Sequence, residues 1–250
     1  ILVSNDDGIH APGISALANA MSKIGDVVIV APDKQQSAVS SSLSVSKPLR
    51  IKELNLNGIP MYSVDGTPTD TVKLAINHIL DKKPDLVVSG INHGANTSIN
   101  VLYSGTVAAA LEGMIAGVPS IAFSLASHDY ASDMSVPASF AEEIALKVID
   151  IGVPQGTMIN VNFPPLDHDK IKGIKVTHLS NSKWFDKFDK RYDPFNREYY
   201  WFAGEYLVYE DNTNDSDDVA LSEGFISLSP IKINFTDKNY LDLLKKIDIF

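Results

Sequence analysis

Short apolar runs alternate with helical patterns over the first two-thirds of the chain. Ile1–Val3 is followed by helical spacing over residues 12–24, and Val27–Val30 forms the next run. Further strand-like runs lie at residues 59–64, 86–88, 121–123 and 158–161, and further helical patterns at residues 68–80, 105–116 and 138–150. Continuous apolar strands separated by helices are typical of a parallel sheet covered on both faces. The pattern predicts a doubly wound α/β core over residues 1–165.

The character of the sequence changes after residue 165. Strands are predicted at residues 174–179, 198–209 and 225–229, with a helix at residues 237–249 and a solvated acidic loop at residues 211–218. Aromatic residues are concentrated here, among them Trp184, Phe185, Tyr199, Tyr200, Trp201 and Phe202. Aromatic hairpins of this kind form either an interface arm or a small local core. Residues 166–250 are thus predicted to be an appendage of the core rather than an independent domain.

Composition excludes several classes of protein. The 250 residues include no Cys, which removes thiolate chemistry and Cys-ligated metal sites and fits a reducing compartment. No apolar run approaches the roughly 20 residues of a membrane span, and no signal peptide is visible. The formal net charge is −10, with no basic stripe for nucleic acid. A phosphorylated substrate would therefore need local positive charge from a metal, a Lys or a helix N-terminus.

Two adjacent carboxylates, Asp6 and Asp7, directly follow the first predicted strand. In doubly wound sheets, ligands bind beyond the carboxyl ends of the strands. Neighbouring acidic groups repel each other unless a cation or hydrogen-bond donors neutralise them, and Mg²⁺ or Mn²⁺ prefers hard oxygen ligands. A simple turn is the alternative, since Asn, Asp and Gly favour turns. The pair favours a metal site.

Three more polar clusters follow predicted strands or open a helix. Ser37 and Lys34 lie in a loop that in isolation is an ordinary polar loop, and residues 89–96 form a Gly/Asn loop that includes Asn92 and Asn96. Ser104-Gly105-Thr106 opens a helix, where free N–H groups can bind phosphate, although a plain N-cap is the commoner use. Together the clusters indicate metal-assisted phosphoryl chemistry rather than zinc hydrolysis or acyl transfer.

Two other motifs carry less chemistry. Thr67-Pro68-Thr69-Asp70 predicts a helix start with a capping box. His10 lies just beyond the acidic pair and is a candidate for proton transfer, and His93 lies in the Gly/Asn loop. A lone His is more often a surface or structural residue, so neither is assigned a role.

The sequence resembles the SurE (survival protein E) family. The segments that carry the resemblance are Ile1–Gly13, Ala31–Asp33 with Ser37, Gly66–Asp70, Val88–Asn92, Tyr103–Ala110, Asn160–Pro164 and Glu223–Ser227. They span nearly the whole chain, and the first and fifth are long and specific. The resemblance implies a Rossmann-like core and a divalent-metal-dependent phosphatase that acts on nucleoside 5′-monophosphates; some members also cleave 3′-nucleotides or short polyphosphate.

The resemblance also implies roles for individual residues. It places one divalent cation, Mg²⁺ or Mn²⁺, on Asp6, Asp7, Ser37 and Asn92, with Asp6 and Asp7 also catalytic. It places phosphate contacts on Asn96, Ser104, Gly105 and Thr106; the family usually has Pro before the first of these, where Ala95 stands here. It further implies a cytoplasmic homodimer or homotetramer with exchanged C-terminal arms.

Two rival functions remain open from the sequence. A Rossmann-type oxidoreductase or transferase would carry a glycine-rich fingerprint after the first strand, where Asn5-Asp6-Asp7-Gly8 stands instead. A non-catalytic nucleotide sensor would use the same pocket and bind nucleotides without releasing phosphate.

Overall fold

The structure, a computed structural model, describes residues 1–207 and 213–247. Its strands are β1 (Leu2–Ser4), β2 (Val28–Pro32), β3 (Ile51–Leu56), β4 (Ile59–Val64), β5 (Val87–His93), β6 (Ser120–Leu125), β7 (Thr157–Phe163), β8 (Ile174–Val176), β9 (Lys183–Tyr192), β10 (Glu198–Leu207) and β11 (Ile226–Lys232). Its α-helices are α1 (Pro12–Met21), α2 (Pro68–Leu74), α3 (Gly105–Ile115), α4 (Ser135–Ile151), α5 (Asp217–Ser222) and α6 (Lys238–Leu244). A π-helical turn, Ala75–Ile79, continues α2.

Nine of these strands form one sheet, in the order β3-β4-β2-β1-β5-β6-β7-β11-β8. The six strands from β4 to β7 in this order are mutually parallel, while β3 runs antiparallel to β4 and β11 runs antiparallel to β7. β8 in turn pairs parallel with β11. β9 and β10 form a separate two-stranded hairpin. The predicted mostly parallel α/β fold with a C-terminal hairpin is confirmed.

The sheet is covered on both faces, as the continuous apolar strands predict. In β1, Leu2 and Val3 point to opposite faces, and both are fully buried. Val3 packs in a core cluster with residues of α1 and α4, such as Leu17 and Ile144. Leu2 packs in a second cluster on the other face with residues of α2 and α3. A strand buried on both sides has no polar face, which explains its uninterrupted apolar sequence.

Helix starts follow local sequence signals. Thr67 caps α2 by accepting a hydrogen bond from the backbone of Asp70, whose carboxylate accepts one from the backbone of Thr67. The capping box predicted from the sequence is therefore confirmed. The predicted C-terminal helix is present as α6, although the last residues of that prediction lie outside the described ranges.

Three elements were not predicted from the sequence: β3, β9 and α5. β3 lies at a sheet edge with mostly exposed side chains, so it lacks the apolar pattern of the inner strands. Its hairpin with β4 turns at Asn57-Gly58, both at positive φ. Asn-Gly is a strong hairpin signal that the sequence does contain.

The chain after residue 165 continues the core sheet. β11 pairs with β7 over six residue pairs and also with β8. Residues beyond 165 thus contribute two strands to the same nine-stranded sheet as well as the separate hairpin.

Helix α3 approaches the sheet closely at Gly113. A Cβ atom there would lie 2.5 Å from Ser120 Oγ and 2.8 Å from Val87 Cβ. Helix propensity alone favours Ala over Gly by about 1 kcal/mol, but overpacking a tight contact typically costs about 1–3 kcal/mol. We expect Gly113→Ala to lower the free energy of unfolding by about 1 kcal/mol or more in urea denaturation.

The control for this variant is Ile115→Ala in the same helix. Ile115 is 63% exposed, so its truncation should change stability by less than about 0.5 kcal/mol. A Gly113→Ala protein more stable than the parent would contradict the close-packing argument.

Candidate metal and phosphate site

A pocket of about 600 Å³ opens where the ends of β1 and β5 meet the start of α3. This is the carboxyl edge of the parallel strands, where the sequence predicted the site. Six of the eight predicted site residues line the pocket, namely Asp6, Asp7, Ser37, Asn92, Asn96 and Ser104. The other two, Gly105 and Thr106, do not line the pocket but contact Asp6. The clusters that are far apart in sequence are thus brought together.

Asp6 is held against the N-terminus of α3. The hydroxyl of Thr106, which is fully buried, donates a hydrogen bond to Asp6 Oδ1. Gly105 allows this approach, because a Cβ there would lie 2.7 Å from Asp6 Cβ. Burial raises the pKa of Asp6 to about 7; the Thr106 hydrogen bond opposes the rise, and the charge of Asp7 adds to it. Thr106 therefore positions Asp6, and its predicted contact with phosphate stays a prediction.

Asp7 is paired with His93, a residue to which the sequence assigned no role. The backbone N–H of His93 donates to Asp7 Oδ2 at 3.2 Å, and His93 Nδ1 lies 3.6 Å from the same oxygen. Burial raises the pKa of Asp7, while the contacts with His93 lower it. The His93 ring is buried and packs against Tyr130, with 4.9 Å between ring centroids. His93 thus fixes the orientation of Asp7.

Asn92 projects from an irregular part of β5. The register between β5 and β6 shifts between Ser89 and Asn92, and Gly90 has φ +131°, with Phe123 O only 2.3 Å from where a Cβ would stand. Only glycine fits such a position. The side-chain N–H₂ of Asn92 donates to Gly94 O at 2.7 Å. This hydrogen bond leaves the amide oxygen of Asn92 as the atom available to a cation.

Asn96 is built into a buried amide network. Its backbone N–H donates to Asn162 Oδ1, its side chain donates to Ser124 Oγ, and its carbonyl accepts from Asn160 Nδ2, each at 2.8 Å. The loop is therefore anchored by the ends of β6 and β7, whatever residue precedes Asn96. Its predicted phosphate contact stays a prediction.

Ser104 caps α3 and faces the pocket. Its Oγ accepts a hydrogen bond from the N–H of Val107 at 3.1 Å. Because this oxygen acts as the acceptor, its own proton remains available to a ligand. The helix has 11 residues, and its dipole favours an anion at this end.

The donor set suits a hard divalent cation. Asp6 and Asp7 are buried side by side, and Lys and Arg are absent from the described residues that line the pocket. Within residues 1–207 and 213–247, no group of three or more His, Cys, Asp or Glu forms a metal cluster. A cation here would therefore need neutral oxygens to complete its coordination, and the side chains of Ser37 and Asn92 line the pocket together with the two carboxylates.

One wall of the pocket comes from the C-terminal part of the chain. Tyr206 of β10 and Asp218 and Leu221 of α5 line it. The prediction that residues 211–218 form a solvated loop is wrong for Asp217 and Asp218, which begin α5; residues 211–212 lie outside the described ranges. Asp217 is fully buried because its carboxylate accepts backbone N–H groups, a use of Asp that composition does not reveal.

His10 lies outside this pocket. It lines a neighbouring cavity of about 300 Å³ together with Lys34, and Asp7 and His93 border both cavities. Neither His10 nor Lys34 belongs to the group that surrounds Asp6.

The fold and the pocket define an α/β protein with a candidate cation- and phosphate-binding site at the carboxyl edge of its sheet. The chain belongs to the SurE family, since the family model described as Survival protein SurE matches residues 1–186. The resemblance noted from the motifs is thereby confirmed.

Relatives match over nearly their whole length. The 5′-nucleotidase SurE of Flavobacterium johnsoniae is 48% identical over 238 residues, which cover 94% of this chain and 92% of that protein. The 5′-nucleotidase SurE of Flavobacterium psychrophilum is 44% identical over 251 residues, covering 100% and 97%. The crystal structure of the SurE protein from Aquifex aeolicus matches with a TM-score of 0.86 and 38% identity, covering 98% of each chain.

The raised pKa of Asp6 makes the stability of the metal-free protein depend on pH. The pKa of Asp6 in the folded protein, about 7, exceeds its ordinary value of 3.8. At pH values between these two, the folded protein therefore binds more protons than the unfolded protein. Stability is therefore lost as pH rises from about 4 to 7, on the order of 4 kcal/mol for this group. We expect wild type to lose stability over this range relative to Asp6→Asn, measured by urea denaturation in EDTA.

Adding Mn²⁺ should reverse the trend for wild type only, because a cation stabilises the ionised pair. Parallel pH profiles for wild type and Asp6→Asn in EDTA would contradict the burial argument.

Proposed function

We propose that this protein is a divalent-metal-dependent 5′-nucleotidase, which releases phosphate from nucleoside 5′-monophosphates. The observation that carries the proposal is the pair of buried carboxylates, Asp6 and Asp7, facing a pocket that also receives the N-terminus of α3. The relatives named 5′-nucleotidase SurE, similar over nearly the whole chain, support the same activity.

The proposed metal ligands are Asp6, Asp7, Ser37 and Asn92, and Mg²⁺ or Mn²⁺ suits these oxygen donors. When bound, the cation would supply Lewis acidity toward the phosphoryl group. Thr106 and His93 hold the two carboxylates in place through their hydrogen bonds. Such supporting contacts to metal ligands typically contribute 10–100-fold in affinity or activity.

The phosphate is proposed to bind at the start of α3. The Ser104 hydroxyl can donate to its oxygens, the helix dipole favours an anion at this end, and Asn96 lines the same pocket. Donors fixed in this way orient the phosphorus for in-line attack. One of the two carboxylates accepts the proton of the attacking water, or attacks as a nucleophile itself.

A nucleoside monophosphate fits the charge of the pocket better than a polyanion does. Asp6, Asp7 and Asp218 line the pocket, and the described lining residues include neither Lys nor Arg. Several adjacent phosphates would lack counter-charges there. Cleavage of 3′-nucleotides or short polyphosphate, which the family resemblance implies for some members, therefore serves as a comparison in the assay.

We also propose that the aromatic hairpin forms a homodimer or homotetramer interface. Phe188 and Phe202 face each other across β9 and β10, with ring centroids 5.4 Å apart, and each is 62% exposed. A cross-strand aromatic pair left so exposed favours an interface over a local core, because a local core would bury it. Exchange of these arms between subunits remains part of this proposal.

A cytoplasmic location also stays a prediction. Within the two described ranges, no helix combines the length and the apolar character needed to cross a bilayer.

Replacing Asp7 tests the phosphatase. Asp7→Asn should lower phosphate release from AMP, GMP and CMP by at least about a hundredfold, because it removes a proposed metal ligand rather than a supporting contact. The measurement is colorimetric phosphate release with Mn²⁺ or with EDTA, and EDTA should abolish the wild-type activity.

The matched control is Asp26→Asn, which removes an exposed carboxylate just before β2. This residue lies at the amino ends of the parallel strands, opposite the ends that form the pocket. It should keep wild-type turnover. Nucleotide binding without any phosphate release by wild type would favour the sensor, and binding of a nicotinamide cofactor would favour the oxidoreductase.

Substitution in the hairpin tests the interface. Wild type should sediment as a species larger than the 27.2 kDa monomer, and Phe202→Glu should shift it toward monomer by placing charge in an apolar contact. Ile149→Glu, on helix α4 and 48% exposed, serves as the control and should leave the assembly intact. A wild-type protein that sediments only as monomer would rule the interface out.

A further inference from the structure

The proposed function leaves one charged group of the pocket without a role. Asp218 lines the same pocket as Asp6 and Asp7, but it belongs to α5, on the wall contributed by the C-terminal part of the chain. We propose that Asp218 accepts hydrogen bonds from the ribose hydroxyls of the nucleotide and so makes the protein prefer ribonucleotides to 2′-deoxyribonucleotides. This inference rests on the proposed nucleotidase activity.

Within residues 1–207 and 213–247, the hydrogen bonds to the Asp218 carboxylate reach only one of its oxygens. Tyr206 Oη and Ser180 Oγ both donate to Oδ2, at 2.9 Å and 2.5 Å. A carboxylate oxygen offers about two lone pairs, so these two hydroxyls use those of Oδ2. Oδ1 remains as the acceptor for further donors, and its two lone pairs match the two adjacent hydroxyls of a ribose.

The neighbouring Asp217 fixes Asp218 beside the loop that contains Asn96. Asp217 is fully buried, and its carboxylate accepts the backbone N–H groups of Ser98, Ser180 and Asp218, each at 2.9 Å. Ser98 lies two residues after Asn96, the residue proposed to contact phosphate. The start of α5 is thereby tied to the Asn96 loop, and we place the sugar, the group next to the phosphate, on the Asp218 side of the pocket.

Charge decides which part of the ligand Asp218 can face. A carboxylate repels a phosphate, and the described lining residues provide no Lys or Arg to offset the repulsion. The phosphate is instead favoured at the start of α3, where Ser104 donates. The Asp218 side of the pocket suits a neutral group that carries hydrogen-bond donors, and a ribose carries two of them on adjacent carbons. The volume of about 600 Å³ lies within the usual range for small-molecule sites.

The test compares AMP with 2′-deoxy-AMP in wild type and in Asp218→Asn. Wild type should show a kcat/KM for AMP about tenfold or more above that for 2′-deoxy-AMP, the effect expected for one hydrogen bond to a charged group. In Asp218→Asn the ratio should fall toward one. The ratio cancels changes in metal binding and in the chemical step, which affect both substrates alike.

Two further variants guard against a loss of folding. Tyr206→Phe keeps the Asp218 charge and removes one of the hydroxyls that hold Oδ2, so the ratio should fall by a smaller factor. Asp215→Asn, an exposed carboxylate of the same acidic tract outside the pocket, should keep the wild-type ratio. Thermal unfolding establishes which variants are folded, and if Asp218→Asn is not, an unchanged ratio in Tyr206→Phe overturns the proposal.

Calorimetric titration of adenosine and 2′-deoxyadenosine provides a second readout that needs no hydrolysis. Wild type should bind adenosine more tightly, and Asp218→Asn should remove the difference. If wild type hydrolyses AMP but the AMP to 2′-deoxy-AMP ratio is the same in Asp218→Asn, the role of Asp218 is overturned and the nucleotidase stands. If wild type releases no phosphate but distinguishes the two nucleosides through Asp218, the nucleotidase fails and the ribose contact stands.

Discussion

The contact between Asp6 and the first turn of α3 determines where this molecule has its site. It joins the end of β1 to a helix 100 residues later in the chain, through the hydrogen bond from Thr106 to Asp6 Oδ1. Gly105 makes the contact sterically possible, since any side chain at this position would overlap with Asp6. The same contact directs the helix dipole toward a buried carboxylate pair and places Ser104 on the pocket wall. The proposed cation site and the proposed phosphate site therefore both adjoin this contact.

Much of this arrangement is readable in the sequence, because parallel α/β sheets carry strong signals. The uninterrupted apolar runs identified the inner strands, since a strand covered on both faces has no polar side to present. The rule that ligands bind beyond the carboxyl ends of the strands then placed the polar clusters, led by Asp6 and Asp7, at one edge of the sheet. The choice of Ser37 and Asn92 as further ligands came from the family resemblance, because a polar loop alone does not single them out. The capping box at Thr67 was equally local, because both of its hydrogen bonds lie within four residues.

The remainder depends on contacts between segments that are distant in sequence. His93 received no role because a buried His beside a carboxylate is defined by its surroundings, and Asp7 lies 86 residues away. The acidic tract had the composition of a solvated loop, yet Asp217 is buried, and its carboxylate accepts backbone N–H groups from Ser98 and Ser180, which lie 119 and 37 residues away. β3 was missed for a different reason, since its exposed edge position removes the apolar pattern while its Asn-Gly turn remains visible.

The strand order has a consequence for how the protein is made. β11 lies between β7 and β8, although it is synthesised after both of them. Among the strands that the structure describes, β8 pairs in the sheet only with β11. When β8 leaves the ribosome, β11 has not yet been synthesised, so β8 stays unpaired for about fifty residues of further synthesis. During translation the nascent chain can assemble the Asp6 end of the pocket early. Tyr206 and Asp218, which line the other side of the pocket, can join it only when almost the whole polypeptide has emerged.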